Sequence, residues 1–397
     1  MQRDSRTYLL YAVMFVFGFS QSVLGSIMPF HEDELDYTTV QVGWHFTAYA
    51  VGVVAAGLIS RAYLGGIGTS TAIAGSLVAM GASIALSSVT GVVAASLVVA
   101  VAIGLSGVVV QIAAQAEIIN HHDHGDVAIT EAFVFAGAGV LSGPLVIGGA
   151  SELGSWRWAM LVPLVLAVPL ALYIWRHPAT QAAAENAAHQ GGRLPRAVLV
   201  CWVMVVLGIA TEWGIGFWGA QFLERRYDLT ESRAVTLMAV FFGGTVLGRI
   251  VSSRVLRHFD TRAVLSVVLW AGTISVFSLW AFPAIPVGMV MLAVAGMSLG
   301  NLFPLVLSVA VAQAGDQVER ISSGSAQAVG IALLTVPVTL GYVGDQIGLV
   351  DAVGLLTILP VVMIALLLAT RESTRESTRG QPARDRPAPH RVVMEDA

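Results

Sequence analysis

Long apolar stretches separated by short polar ones recur along the whole chain. Each stretch approaches or exceeds about 20 residues, the length that a helix rising about 1.5 Å per residue needs to cross about 30 Å of hydrocarbon. The runs are unbroken and lack the period-two alternation of barrel strands. The pattern therefore predicts twelve membrane-spanning helices, at roughly residues 7–29, 41–61, 69–88, 91–115, 127–149, 157–175, 197–222, 232–253, 263–281, 285–311, 323–342 and 350–369.

Composition leads to the same class of protein. Of 397 residues, 56% are hydrophobic and 12% are charged, and the mean hydropathy is +0.77, which exceeds the usual range of soluble domains. We therefore expect an all-α protein surrounded by membrane lipid. The single Cys201 rules out a disulfide or a thiolate metal cluster within one chain. No cofactor is expected.

Basic residues predict the orientation in the membrane. The chain has no lysine, so arginine supplies all 21 basic charges. A cytoplasmic N-terminus places most loop arginines inside, as the positive-inside rule requires, and predicts a multi-pass protein of the plasma (inner) membrane with both termini cytoplasmic. Residues 371–397 are rich in Pro, Ser, Thr and Arg and predict a disordered cytoplasmic tail. The net charge of −4 gives no support for a nucleic-acid partner.

The chain divides into two similar halves. The polar residues 176–196 fall between the sixth and seventh predicted helices and predict a cytoplasmic loop between bundles at 1–175 and 197–370. One sequence shift superimposes Asp36-x-Thr38 on Asp228-x-Thr230, and Gly52 on Gly244. Both threonines are placed to cap the next helix, and Thr38 with Gln41 fits a capping box. The repeat is parallel, although any two membrane hairpins can share turn residues.

This organisation resembles the major facilitator superfamily, with two six-helix bundles in one chain. The stretch GRIVSSRVLRHFDTR, 248–262, resembles the basic loop motif of that superfamily. The resemblance implies gating roles for Arg249, Arg254 and Arg257, which would pair with acidic groups and helix ends. Glu117 is the expected acidic gate or cap partner. In the first-half copy, GLISRAYLGG, 57–66, Arg61 stands where the motif usually has an aspartate.

Shorter motifs resemble the fucose-permease-like proton-coupled sugar porters. They are Glu212-x5-Trp218-x4-Leu223 in the seventh helix, QIAAQAE, 111–117, in the fourth, and SLGNLFP, 298–304, in the tenth. The resemblance implies a transporter of a small molecule that works by alternating access, as a monomer. It does not identify the substrate, since one scaffold serves many functions. Members with established proton symport often carry a carboxylate in the first segment, where this chain has Gln21.

Glu212 is the main candidate for proton coupling. A carboxylate near the bilayer centre is costly when it faces lipid, so its default interpretation is a functional group facing a wet cavity. Gly208, Gly216 and Gly219 share its helical face and allow close packing or a broken helix. A protonated Glu212 bonded to a neighbouring helix is the structural alternative. Glu131 is a second candidate, although it can simply complement the N-terminal dipole of its helix.

Uncharged polar and aromatic residues are the predicted substrate-binding groups, because sugars and similar solutes are held by amide hydrogen bonds against aromatic faces. The amides can instead link helices, and the tryptophans can anchor the membrane boundary. The predicted substrate-binding residues are Gln21, Gln111, Gln115, Trp213, Trp218, Asn301 and Gln327.

Three further alternatives follow from the chain. The stretch GVLSGPLVIGG, 139–149, resembles the Gly-Pro motif of proton-antiport drug exporters, although small-residue packing explains it as well. A membrane receptor that binds without transporting belongs to another class. The loop NHHDHGD, 120–126, could bind a divalent cation, but consecutive positions diverge around a helix and favour a solvated loop, so no metal site is expected. No nucleophile with a base, metal-binding helix or phosphate loop indicates an enzyme.

Overall fold

The computed structural model describes residues 4–121, 125–179, 196–312 and 318–380, and these residues are mostly helical. Twelve stretches within them are long and apolar enough to cross a membrane, which confirms the predicted number. The helices are α1 (Ser5–Leu35), α2 (Thr39–Ile67), α3 (Thr69–Ser87), α4 (Val93–His121), α5 (Gly125–Glu152), a 3-10 helix (Trp156–Leu161), α6 (Val162–Arg176), α7 (Arg196–Tyr227), α8 (Glu231–Val255), α9 (Thr261–Ala281), α10 (Ile285–Leu299), α11 (Leu302–Val311), α12 (Val318–Ile347), α13 (Leu349–Leu355) and α14 (Ile358–Gly380).

Two spans that the hydrophobic pattern predicts as single helices are each broken in the structure. The tenth span consists of α10 and α11, with Asn301 between them donating its side-chain amide to Met297 O at 2.6 Å. The twelfth consists of α13 and α14. Pro304 and Pro360 each lie in the first turn of the helix after the break, where a missing N–H costs nothing. Hydropathy does not detect these breaks because the apolar character continues across them.

The turns before the second helix of each half have the same backbone. Asp36 and Asp228 both adopt a left-handed conformation with φ of 52°. Thr38 then begins α2 with the predicted capping box, in which its hydroxyl accepts from Gln41 N and its N–H donates to the Gln41 side chain. Thr230 begins α8 with similar dihedral angles but without a side-chain capping bond, so that part of the prediction is wrong.

The equivalent glycines also make equivalent contacts. A Cβ at Gly52 of α2 would lie 2.1 Å from Val101 O of α4, and a Cβ at Gly244 of α8 would lie 2.5 Å from Ala293 O of α10. The shift that relates the two glycines also relates the two carbonyls. Both sites therefore require glycine because a helix backbone passes directly over them. The first half, α1–α6, and the second half, α7–α14, share this crossing.

The segments outside the helical spans differ in part from the prediction. Helix α14 continues to Gly380, so the first ten residues of the predicted disordered tail, 371–380, are helical. They contain good helix formers such as Arg and Glu and no proline. Residues 381–397 lie outside the described residues. So do 180–195 of the predicted central loop and 122–124 of the histidine-rich loop.

Candidate functional site

The two halves touch near one face of the bundle and part near the other. The face where α1 ends and α2 begins is called the far face, and the face where α1 begins is called the terminal face. On the far side, Gln221 of α7 donates to Glu32 of α1 at 2.7 Å, and Arg225 forms an ion pair with the same carboxylate. Thr47 of α2 donates to Leu334 O of α12 at 3.2 Å.

Nearer the terminal face, described residues of both halves are exposed. Between α2 and α12, a Val54 methyl group lies 3.2 Å from the Cβ position of Gly330. Beyond them Leu58 is 79% exposed, and Gln327 is exposed as well. Between α5 and α8, the Cβ position of Gly137 lies 2.8 Å from a Val246 methyl group. The halves are therefore sealed at the far face and separated toward the terminal face.

A cavity of about 210 Å³ lies between the halves. Helices α1, α4 and α5 of the first half and α7 and α8 of the second supply its walls. Among the described residues, two lining side chains are charged, three carry amide or hydroxyl groups, and five are aromatic. The lining residues are Phe17, Gly18, Gln21, Gln111, Phe133, Ala136, Gly137, Val140, Glu212, Trp213, Gly216, Phe241, Phe242, Thr245 and Arg249.

Glu212 lies at the middle of α7 and lines this cavity. It forms no hydrogen bond or ion pair with any residue that the structure describes. Of the three glycines predicted to share its face, Gly216 opens onto the cavity, whereas Gly208 packs against Leu302 and Gly219 against Met238. Helix α7 is continuous, so the broken helix suggested by these glycines is not present there. The structural alternative, a hydrogen bond from Glu212 to a neighbouring helix, is likewise not found within the described part of the chain.

Arg249 lines the cavity from α8, one helical turn from Thr245. The sequence motif predicts a gating residue at the end of the helix, but α8 continues to Val255 and places Arg249 inside the cavity. Its charge acts on the Glu212 carboxylate without a direct ion pair. Within the described residues, no hydrogen bond holds the guanidinium. The cavity thus holds one acid and one base, and both side chains remain available.

Two of the four predicted glutamines line the cavity. Gln21 accepts a hydrogen bond from the Tyr49 hydroxyl at 3.1 Å, which fixes the amide oxygen and leaves its N–H groups for another partner. Gln111 lies on α4 and makes no hydrogen bond to the residues described. Gln115, one turn further along, does not line the cavity. Two amides therefore face the space opposite Glu212.

The two predicted tryptophans have different environments. Trp213 lines the cavity and packs on Phe217, with ring centroids 5.0 Å apart. Trp218 is fully buried and packs edge-on against Phe46 of α2, 5.2 Å between centroids. It therefore helps to seal the halves and cannot reach a ligand in this conformation. Helix periodicity could not distinguish the two roles, because neighbouring positions face different helices.

Two other predicted binding residues do not line the cavity. Asn301 is buried at the break between α10 and α11, where its amide bonds to Met297 O and lies 2.6 Å from the Cβ position of Gly248. It stabilises the break instead. Gln327 is exposed on the part of α12 that has separated from the first half.

The remaining predicted acids are engaged within the first half. Glu131 accepts a hydrogen bond from the Tyr11 hydroxyl at 2.8 Å and does not line the cavity. Glu117 is buried and accepts from Arg6 Nε at 2.6 Å, and Ser70 donates to its other oxygen at 3.3 Å. The arginine that pairs with Glu117 thus belongs to α1 rather than to a loop. This pairing links α1, α3 and α4 at the terminal face.

The other two predicted gating arginines are exposed at the terminal end of α8. Arg254 donates to Ile250 O of its own helix at 3.2 Å. Arg257 makes no contact with an acid among the described residues. In this conformation neither joins the two halves, so their gating role stays a prediction.

The sequence did not identify most of the aromatic wall. Phe17, Phe241 and Phe242 are buried and line the cavity, and Thr245 adds a hydroxyl that bonds to Phe242 O. A charged residue inside an apolar run was a usable signal for Arg249. No comparable signal distinguishes these phenylalanines from ordinary core residues.

The Gly-Pro stretch of α5 is a packing surface. A Cβ at Gly139 would lie 2.0 Å from Phe15 O, and one at Gly143 would lie 2.0 Å from the Ser22 hydroxyl, both on α1. A Cβ at Gly148 would lie 2.1 Å from the Thr236 hydroxyl on α8. These glycines bring α5 close to both halves, which supports the packing interpretation of the motif.

Comparison with solved structures gives the same architecture. A bacterial homologue of the human lysosomal transporter Spinster, inward-facing and unoccupied, has a TM-score of 0.75 at 14% identity, covering 96% of this chain and 100% of that chain. A mutant of the nucleoside transporter NupG has a TM-score of 0.78 at 11% identity, covering 91% and 99%. At such identities the likeness concerns the fold alone. No curated protein matches the sequence.

The sequence itself matches a family model over most of its length. The model of the Major Facilitator Superfamily matches residues 10–332, which include all of the cavity wall. With twelve membrane-spanning segments and this match, the protein is an integral multi-pass membrane transporter of a small molecule and not an enzyme. The chain belongs to the Major Facilitator Superfamily.

Proposed function

We propose that this protein is a proton-coupled secondary transporter of a small polar solute, related to the fucose-permease-like sugar porters, with Glu212 as the proton-binding group. One observation carries the proposal: an acid without a partner in the described residues lies in a cavity between two halves that are sealed on one side only. An intramembrane carboxylate in such a place marks an ion or substrate pathway. Gln21 and Gln111 supply amides for solute hydroxyls.

Alternating access follows from the position of the cavity. The two six-helix halves would rock about the cavity, closing the terminal face while the far-face contacts break. Closure removes Glu212 from water, where an ionised carboxylate without a direct ion pair is costly, and a proton removes its charge. The charge of the solute then determines the balance with Arg249. Binding of the proton and solute together would therefore favour the closed intermediate. The arginine bias supports a cytoplasmic location for the terminal face and both termini. In this proposal the protein lies in the plasma membrane and acts as a monomer.

The first test measures proton movement with the full chain in liposomes. A trapped pH-sensitive dye reports proton entry while sugars, organic acids and amphiphilic drugs are added in turn. Proton entry with one solute supports symport. Under the proposal, Glu212→Gln loses accumulation against a gradient but retains exchange of solute, because exchange needs no net proton transfer. An unchanged accumulation by this variant would overturn the role of Glu212.

Two further variants serve as controls. Glu152→Gln alters an exposed acid at the far end of α5, away from the cavity, and should accumulate solute normally. Glu131→Gln removes the acceptor of the Tyr11 hydrogen bond. If Glu131→Gln loses proton coupling while Glu212→Gln keeps it, the proton-binding role moves to Glu131.

The aromatic wall favours one alternative, proton-antiport efflux of amphiphilic compounds. Five aromatic side chains line a space with few polar groups, and flat apolar ligands stack on such surfaces. In the same assay, an amphiphilic cation would release protons from the liposomes rather than carry them in. Sensitivity of a deletion strain to dyes or antibiotics would identify this activity in cells.

A further inference from the structure

The cavity carries a fixed positive charge that the proposed proton coupling does not use. Among its described lining residues, Arg249 is the one basic side chain and Glu212 the one acid. Neither forms a hydrogen bond or ion pair within the described part of the chain. A guanidinium presents five donors in a planar fork that matches a carboxylate. Arg249 is exposed at the cavity wall, so its guanidinium is accessible to an anionic group.

We propose that the transported solute is a small organic monocarboxylate, which Arg249 binds by its carboxylate, and that one proton on Glu212 travels with it. This inference rests on the proposed function and specifies its substrate class. The amides of Gln21 and Gln111 and the Thr245 hydroxyl would hold hydroxyl groups of the solute, and the aromatic wall its carbon skeleton. A cavity of about 210 Å³ has room for a solute of a few carbons or a single ring.

Charge balance supports a one-to-one ratio. With Glu212 ionised, the acid and Arg249 cancel, so the empty cavity is neutral. A bound monoanion alone leaves one uncompensated negative charge, which opposes closure in a low-dielectric environment. A proton taken from water onto Glu212 removes it. A neutral sugar with a proton would instead leave one positive charge, so neutral solutes fit the cavity less well.

The surroundings of Glu212 contain few competing charges. From α8, Arg249 acts on it. From α5, the nearest acid is Glu131, which is engaged with Tyr11. The charged residues of α1 lie at its two ends, with Arg6 bound to Glu117 and Glu32 bound to Arg225. No charged side chain lies near the middle of α7 in the described parts of α11, α13 and α12 beyond residue 323.

Binding is tested first, using pairs of probes that differ in the carboxylate. Glucuronate is compared with glucose, 4-hydroxybenzoate with 4-hydroxybenzyl alcohol, and lactate with propane-1,2-diol. Thermal stabilisation of the purified protein reports each Kd, since a ligand of the native state raises its stability. We expect at least one acid to bind at least tenfold more tightly than its uncharged partner. Equal binding within every pair, or no binding of any acid, overturns the inference.

Variants then assign the effect to Arg249. Arg249→Gln should lose at least tenfold in affinity for the acid and leave the uncharged partner unchanged. Arg249→Lys keeps the charge without the planar fork and should retain part of the affinity, which separates loss of the site from loss of folding. Arg233→Gln removes an exposed arginine at the other end of α8 and should bind as the native protein does. Retained selectivity in Arg249→Gln contradicts the assignment.

Transport of the selected acid separates this inference from the proposed function. A pH gradient at zero membrane potential should drive accumulation, whereas a potential without a pH gradient should not, because no net charge moves. Accumulation driven by the potential contradicts the one-to-one ratio. Uptake of an uncharged partner with protons would overturn the inference and leave proton-coupled transport standing. Acid uptake that does not depend on the pH gradient would overturn proton coupling but would still agree with an anion site at Arg249.

Discussion

The two halves share one scaffold but differ in the chemistry that they present. The shift that superimposes Asp36 on Asp228 brings Ser20 onto Glu212 and Gly57 onto Arg249. Ser20 is buried and its hydroxyl bonds to Phe17 O of its own helix. Gly57 has open space around its Cβ position. Both charged groups of the cavity therefore come from the second half, while the first half contributes amides. Packing is symmetric in this molecule, and charge is not.

The helix crossings show how closely the packing is repeated. A Cβ at Gly104 would lie 2.1 Å from Tyr49 O, and a Cβ at Gly296 would lie 2.0 Å from Phe241 O. The same shift relates these two glycines and the two carbonyls above them. The repeat therefore preserves close backbone contacts, which tolerate no side chain. The two charged positions of the described cavity wall, Glu212 and Arg249, differ from their equivalents Ser20 and Gly57.

The largest expected effect tests the difference in chemistry. Glu212→Gln should abolish solute accumulation against a gradient, because no other lining residue that the structure describes can carry the proton. Ser20→Ala, at the equivalent position of the first half, should accumulate solute to within about twofold of the native protein, since one hydrogen bond to its own helix is lost. Uptake of labelled solute in liposomes measures both. Equal losses in the two variants would contradict the asymmetry.

The next effect tests the shared packing. Gly104→Ala and Gly296→Ala should destabilise the protein to a similar extent, each by about 1–3 kcal/mol or more, because the added methyl group displaces a helix. The midpoint of thermal unfolding in detergent reports the change. Gly57→Ala provides the control, since nothing lies within 4 Å of its Cβ position. A clearly larger loss for one of the crossings would show that the halves do not depend on them equally.

A smaller effect concerns the far face, where two ion pairs can be compared. Glu32 pairs with Arg225 across the halves, and Glu34 pairs with Arg157 within the first half. Glu32→Gln should open the far face more often and raise the labelling of Gln111→Cys from that side several-fold, in a Cys201→Ala background. Glu34→Gln should not. Each partly exposed pair contributes about 1 kcal/mol or less to stability. Unchanged labelling in Glu32→Gln would exclude this pair as a far-face gate.

The smallest effect concerns the end of the chain. The twelfth span ends at Ala369, so residues 371–397 follow the last membrane crossing. Their removal should leave initial uptake rates within about twofold of the native rate, because they follow the twelfth span and lie beyond the bilayer-spanning length. Rates per molecule require quantification of the protein in each liposome preparation. A loss of transport at equal protein amounts would assign this segment a part in the transport cycle.

Some of the predicted site residues lie together in the structure, and others do not. Glu212, Gln21, Gln111 and Trp213 lie around one cavity, and Arg249 joins them from a motif that predicted a gate. Other predicted residues have packing contacts instead: Trp218 seals the halves, and Asn301 supports a helix break. All of these residue types are uncommon inside membranes, and uncommon residues serve both function and packing. Sequence shows that such residues are present but does not show which neighbour each one faces.

The sequence by itself determined the membrane class, the number of spans and the repeat, because bilayer thickness fixes the length of an apolar run and turn residues mark its ends. The tertiary structure decided which side chains share the cavity and which face of the bundle is sealed. Those outcomes depend on how each helix is rotated and tilted against its neighbours. Backbone contacts at glycines such as Gly104 and Gly296 set that rotation, and they join residues far apart in the chain.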